Sequence, residues 1–100
     1  MSLRIIPLTL CYYEGEKGLM TYMMGYGQPI IRPFVMWYIQ GAEKNIIVDT
    51  AIEKQDYLNY HPNFRNLEMT EVQSFDQALG KVGLAPEKID TVVLTHLHFD

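Results

Sequence analysis

The chain is short of several things, and each shortage narrows what it can be. It has one cysteine, Cys11, so no disulfide can form within it. A reducing compartment therefore suits it, and a cytoplasmic location is the expectation. Cys11 is expected to pack as a small hydrophobe. No apolar run approaches the length of a membrane span. The N-terminus carries no basic segment followed by an apolar stretch, so no signal peptide is evident. Lysine and arginine number 8 against 12 acidic residues, for a net charge of −4. Those cations are scattered from Arg4 to Lys88 and form no stripe, which argues against a nucleic-acid partner. Repeats and low-complexity segments are absent. At 100 residues the chain is one domain at most.

What is present centres on Thr91 to Asp100. Val92, Val93 and Leu94 read as a buried strand. It empties into Thr95-His96-Leu97-His98-Phe99-Asp100. In extended chain, alternate side chains leave the same face. His96, His98 and Asp100 are therefore expected to converge, with Leu97 and Phe99 packing away from them. Imidazole nitrogen and carboxylate oxygen suit zinc in a hydrolytic site. The strand's carboxyl end is also where open α/β sheets place their ligands.

Upstream, Leu3 to Leu10 reads as a strand. Cys11 to Pro33 holds Gly15, Gly18, Gly25, Gly27, Pro29 and Pro33, so it reads as mostly loop. That stretch is rich in tyrosine and methionine. It is either a flap on its own sheet, a subunit interface, or a wall of a substrate pocket. Phe34 to Gln40 and Ile46 to Val48 read as two strands joined by a five-residue hairpin turn from Gly41. The second strand ends at Asp49-Thr50. An acid abutting Ile46-Ile47-Val48 is costly to bury unless it is paired; otherwise it caps a turn. Residues 52–69 lack a sustained period, although Tyr57, Tyr60 and Phe64 are spaced for a short helix or an aromatic-sided loop. His61 reads as an exposed loop residue. Thr70-Glu71-Val72-Gln73 reads as a capping box. Val72, Phe75, Leu79 and Val82 then form one helical face, which Gly83 ends. Helix, short loop, strand and motif make an αβ step of a layered α/β domain.

Thr95-His96-Leu97-His98-Phe99-Asp100 resembles the His-x-His-x-Asp-His metal motif of the metallo-β-lactamase superfamily. Its wording, HLHFD, is most similar to the N-acyl homoserine lactonase branch. The resemblance implies an α/β fold, the N-terminal part of an αββα sandwich, around a site for one or two metal ions, usually zinc. By this resemblance His96 and His98 match ligands of the first ion and Asp100 a ligand of the second. That fold needs roughly twice this length, so the chain is expected to be the N-terminal portion of one larger domain, because domain boundaries fall in linkers. Val48-Asp49-Thr50 is similar to the family's VDTG motif, whose Asp orients the metal-site loop without being a direct ligand. Ala51 departs from it where glycine is usual, which implies a less tight turn. Tyr60 and Phe64 fall in the loop that, in such lactonases, contacts the acyl chain. A homodimer is a further implication of that branch.

Zinc in such a set lowers the pKa of bound water from 15.7 to about 7, making hydroxide available at neutral pH. Asp100 is then placed to accept or return a proton. The expected function is a metal-dependent hydrolase of small-molecule esters or lactones, with N-acyl homoserine lactones foremost. Other ester or thioester hydrolysis and a non-catalytic binding module stay open. A di-iron electron-transfer relative in the superfamily has Glu where His98 stands, so His98 favours hydrolysis.

Overall fold

Among the described residues a five-stranded mixed sheet runs in the order β4 (Met69–Glu71), β1 (Arg4–Glu16), β2 (Pro29–Gln40), β3 (Ile46–Val48), β5 (Thr91–Val93). It is seen in a computed structural model that describes residues 2–17, 21–60 and 69–100. Strands β1 (Arg4–Glu16) and β2 (Pro29–Gln40) form a long antiparallel hairpin from Arg4↔Gln40 to Glu16↔Pro29. Strand formation thus continues well into the stretch expected to be loop, leaving only its centre as a connection. The reason is a β-bulge between Thr9 and Cys11. A bulge inserts one residue and breaks the two-residue alternation. Leu8, Leu10, Cys11 and Tyr13 are consequently all buried. Read by strict alternation, the strand ends at Leu10; read with the bulge, it runs on to Glu16.

The bulge leaves carbonyl groups needing partners. Leu10 O accepts from the amides of Val72 and Gln73, and Thr9 O accepts from Gln73 Nε2 at 2.9 Å. This contact corrects the expected capping box. Thr70 lies in the short edge strand β4 (Met69–Glu71), paired to Cys11–Tyr13, and Gln73 serves the bulge. The box that forms is Ser74 with Gln77, four residues on, and it opens helix α2 (Phe75–Lys81). Ala78 and Leu79 are fully buried on that helix, Phe75 and Val82 partly so, while Val72 is exposed and outside it. Gly83 ends α2 as expected, at φ +77°, and the Leu84 amide reaches back to Leu79 O.

The Gly41 hairpin also forms as read. β3 (Ile46–Val48) pairs antiparallel with β2, through Trp37↔Val48 to Ile39↔Ile46. Between β3 and β5 (Thr91–Val93) the described chain passes through α1 (Lys54–Tyr60), β4, α2 and a 3-10 turn at Pro86–Lys88. It returns so that β5 lies parallel to β3, Val48 beside Val93. The core sits between one face of the sheet and the helices. It contains Leu8, Leu10, Phe34, Met36, Tyr38 and Ile47 from the strands, with Tyr57, Ala78 and Leu79 from α1 and α2. Strand β5 is not buried as expected: Val92, Val93 and Leu94 are about half exposed. Among the described residues β3 is its one neighbour in the sheet.

Candidate metal centre

Beyond Val93 the chain leaves the sheet and bends through Thr95 to His98. This loop is not the extended segment that alternate spacing implied. It nonetheless brings the expected trio together. One potential donor atom from each of His96, His98 and Asp100 lies within 4.8 Å of the others. Convergence comes from the bend, which sets His96 Nε2 3.3 Å from Asp100 Oδ1 across four residues. The two imidazoles stand edge to face, centroids 4.9 Å apart. Of the residues expected to pack away, Leu97 is instead 90% exposed. Phe99 does pack, against Phe34, Tyr57 and Tyr60.

The loop is held by the turn at the end of β3. The Asp49 amide donates to Val93 O at 2.8 Å, and the Thr50 and Ala51 amides donate to Asp100 O at 3.2 and 2.9 Å. Both ends of the 93–100 loop are thus fastened to three consecutive amides. Pointing those amides the same way requires an unusual backbone: Asp49 has φ +56° and Ala51 φ +54°. That region costs an L-residue about 1–2 kcal/mol. The position where the resembling motif has glycine is therefore still left-handed here, with alanine bearing the strain.

Asp49 is buried and carries the paired acid that its place at a strand mouth demands. Its Oδ2 accepts from the Thr95 hydroxyl at 2.6 Å and its Oδ1 from the Thr95 amide at 2.9 Å. These two bonds, the hydroxyl's first, hold its carboxyl below the usual carboxylate range despite burial. Asp49 does not join the donor trio, although its Oδ1 lies 3.8 Å from His96 Nδ1. Thr95 is the residue whose role sequence reading missed. Its signal was a hydroxyl at one strand mouth and an acid at another, and only the parallel pairing of β3 with β5 makes them neighbours.

The donor set fits a divalent cation on a local observation. His96 Nε2 and Asp100 Oδ1 face one another at 3.3 Å. With hydrogen on Nε2 this contact is a hydrogen bond; with hydrogen on Nδ1 instead, both atoms turn free lone pairs toward one point, where a divalent cation would be held. Two imidazoles and a carboxylate are the donors that borderline divalent metals take. Tyr60, 70% exposed, stacks on Phe99 at 6.4 Å. Phe64 and His61 fall outside the described residues. Tyr22, Met23, Met24 and Tyr26 are exposed, so this part of the hairpin connection does not lie as a flap on its own sheet.

A mixed layered sheet with a His/His/Asp cluster on the loop leaving β5 defines the class: an α/β protein with a metal-type site at a strand's carboxyl end. Residues 34–100 match the family described as the metallo-beta-lactamase superfamily. The chain belongs to that superfamily. Among solved structures it is similar to a probable metal-dependent hydrolase from Staphylococcus aureus, at 25% identity and a TM-score of 0.64. That match covers 98% of this chain and 39% of the other. It is similar in fold to an N-acyl homoserine lactone hydrolase with N-hexanoyl-L-homoserine, the product, bound at its catalytic metal centre. There identity is 21%, TM-score 0.65, and coverage 98% of this chain and 41% of that one. The chain thus spans about two fifths of the length of either structure. Its fold is the expected one, part of a metallo-β-lactamase sandwich.

Proposed function

We propose that the protein is a metal-dependent hydrolase that opens cyclic esters, with N-acyl homoserine lactones as the leading substrate class. The observation that carries the reading is the convergence of His96, His98 and Asp100 within 4.8 Å on a loop fastened at both ends. His96, His98 and Asp100 would hold one or two divalent ions, zinc foremost. When bound, the metal supplies an activated water and polarises the ester carbonyl. Asp100 is the carboxylate nearest His96 Nε2, and it holds or passes the proton that moves between water and the departing ring oxygen. Asp49 touches no reacting group and holds Thr95, hence the loop. Tyr57 and Tyr60 pack on Phe99, which stands between His98 and Asp100 in the chain. Such an aromatic group suits an acyl chain, as small-molecule sites are mostly apolar with few polar groups. The superfamily membership and the S. aureus neighbour support the hydrolase class; the lactonase-like neighbour supports the substrate only by shape.

The test uses the intact, metal-loaded protein on acyl homoserine lactones, other lactones, simple esters, thioesters and β-lactams. Chelator-sensitive opening of lactones is the expected result. Turnover confined to thioesters or β-lactams would refute the lactone assignment. Equal, negligible metal content in wild type and in His96→Ala/His98→Ala would refute the metal centre itself.

A further inference from the structure

The Thr95 hydroxyl sits between two groups that make opposite demands on it. Oγ1 lies 2.6 Å from Asp49 Oδ2 and 3.1 Å from His96 Nδ1. A hydroxyl has a single proton, and an ionised carboxylate can only accept. The proton therefore goes to Asp49, and the oxygen presents a lone pair to the imidazole. For the 3.1 Å contact to be a hydrogen bond, Nδ1 carries hydrogen and donates to Oγ1. The lone pair of a neutral His96 is left on Nε2, the nitrogen that faces Asp100 at 3.3 Å. Asp100 alone would pull the other way, because a carboxylate beside Nε2 favours hydrogen there. The two acids that flank His96 thus compete for its tautomer, Asp49 acting through Thr95 and Asp100 directly.

We propose that Thr95 is a positioning residue for the metal centre: its hydroxyl, polarised by Asp49, fixes His96 as the Nδ1–H tautomer and so keeps Nε2 free as the ligand atom. This rests on the hydrolase reading only in taking the trio as a metal site; the tautomer itself is a property of the metal-free protein. The arrangement follows a general pattern, in which the hydrogen bond at one ring nitrogen decides which nitrogen is left for a metal. Unlike the commoner direct carboxylate partner, the relay here places a hydroxyl between acid and imidazole. Thr95 also ties the loop to Asp49 through its amide at 2.9 Å, a bond that any residue at this position keeps. Side chain and backbone roles are therefore separable by substitution.

The experiment compares wild type, Thr95→Val and Thr95→Ser in the intact, chelator-stripped protein. Long-range proton–nitrogen correlation on 15N-histidine-labelled samples, above the imidazole titration range, reads the tautomer. The His96 signals are assigned by their loss in His96→Asn. Zinc affinity is measured in parallel by chelator competition. Wild type and Thr95→Ser should show Nδ1–H. Thr95→Val should shift His96 toward Nε2–H and lose about 10–100-fold in zinc affinity. Retention of Nδ1–H in Thr95→Val, or a Thr95→Ser that behaves like valine, overturns the proposal. Should valine disturb the loop, seen as a lowered thermal midpoint, Thr95→Ala is read in its place. Failure of wild type to bind zinc removes the metal reading, while the spectra still decide whether Thr95 sets the tautomer.

Discussion

Replacing Asp49 by asparagine changes one atom and should reverse a chain of hydrogen bonds. In the native arrangement, two Thr95 donors converge on the carboxylate, at 2.6 and 2.9 Å. Asparagine can meet the Thr95 amide with its carbonyl oxygen, which sets its NH2 group against the hydroxyl. A donor now faces a donor. The hydroxyl resolves this by accepting from the NH2 and turning its proton to His96 Nδ1, 3.1 Å away. Nδ1 becomes an acceptor, hydrogen moves to Nε2, and the lone pair leaves the trio. Two costs follow. Hydrogen bonds to a charged group are each worth about 1.5–3 kcal/mol, and one of them is exchanged for a neutral bond, so stability should fall by about 1–2 kcal/mol. Zinc affinity should fall by about 10–100-fold, the usual loss when a ligand's outer partner is removed. Alanine at the same position deletes the acid but leaves the hydroxyl free to rotate, so it imposes no wrong tautomer. Asp49→Asn should therefore bind zinc no better than Asp49→Ala, although it is the more conservative change. Chelator competition on both variants, alongside urea unfolding, checks the ordering. An asparagine variant with wild-type affinity beside a weakened alanine variant would refute the relay and leave Asp49 a mere loop anchor.

Three further outcomes are expected. Ala51→Gly should raise stability by about 0–1 kcal/mol: relief of the left-handed strain at φ +54° outweighs or balances glycine's backbone entropy and a lost buried methyl; an unfolding free energy from urea titration lowered by more than about 1 kcal/mol would contradict that reading. Because the Asp49 carboxyl is held below the usual range by Thr95, its stabilising contribution is full above the ordinary carboxylate pKa and is lost as pH falls through the lower folded value. Thermal midpoints measured from pH 6 downward should fall less steeply below about pH 4 in Asp49→Asn than in wild type. Finally, burial pushes the Cys11 thiol up from 9.0 to about 11, and its S–H points at Ile52 O, so a disulfide reagent at pH 8 should label it only after urea is added. By the same linkage its contribution is full below pH 9 and lost as pH rises toward 11.

The residues of the candidate site could be read directly, because ligand type and close spacing are local information. His96, His98 and Asp100 do meet, and Asp49 is the paired acid at the strand mouth. The geometry behind the meeting was not local. Alternate spacing suggested a strand, whereas the bend from Thr95 to His98 is imposed by amides from residues 49–51, which the sequence places half a chain away. The same holds for β1. Its bulge is stabilised by Gln73, and nothing near Thr9 announces that partner. Ser74 and Thr70 both begin a hydroxyl-x-x-Gln pattern, and local propensity cannot rank them. Tertiary use of Gln73 at the bulge decides for Ser74. Apolar content likewise named Val92 to Leu94 as buried; they are about half exposed in this chain, which spans about two fifths of the length of its solved neighbours.

The crossover from β3 to β5 has a consequence for the order in which the molecule can assemble. The pair that organises the metal loop, Asp49 and Thr95, is separated by 46 residues. Loop-closure entropy must be met before such a pair contributes anything, and contacts of this span form slowly. The β1–β2 hairpin needs no such closure and can zip from its own turn. The metal centre should therefore be among the last features to mature, after α1, β4 and α2 have filled the intervening chain. Before that moment, His96, His98 and Asp100 are a flexible local sequence with little hold on a metal. An ion that binds only the finished loop draws the population toward the native state by mass action, in proportion to the logarithm of its free concentration. On the proposed metal reading, metal supply during synthesis would govern how much protein reaches its final form.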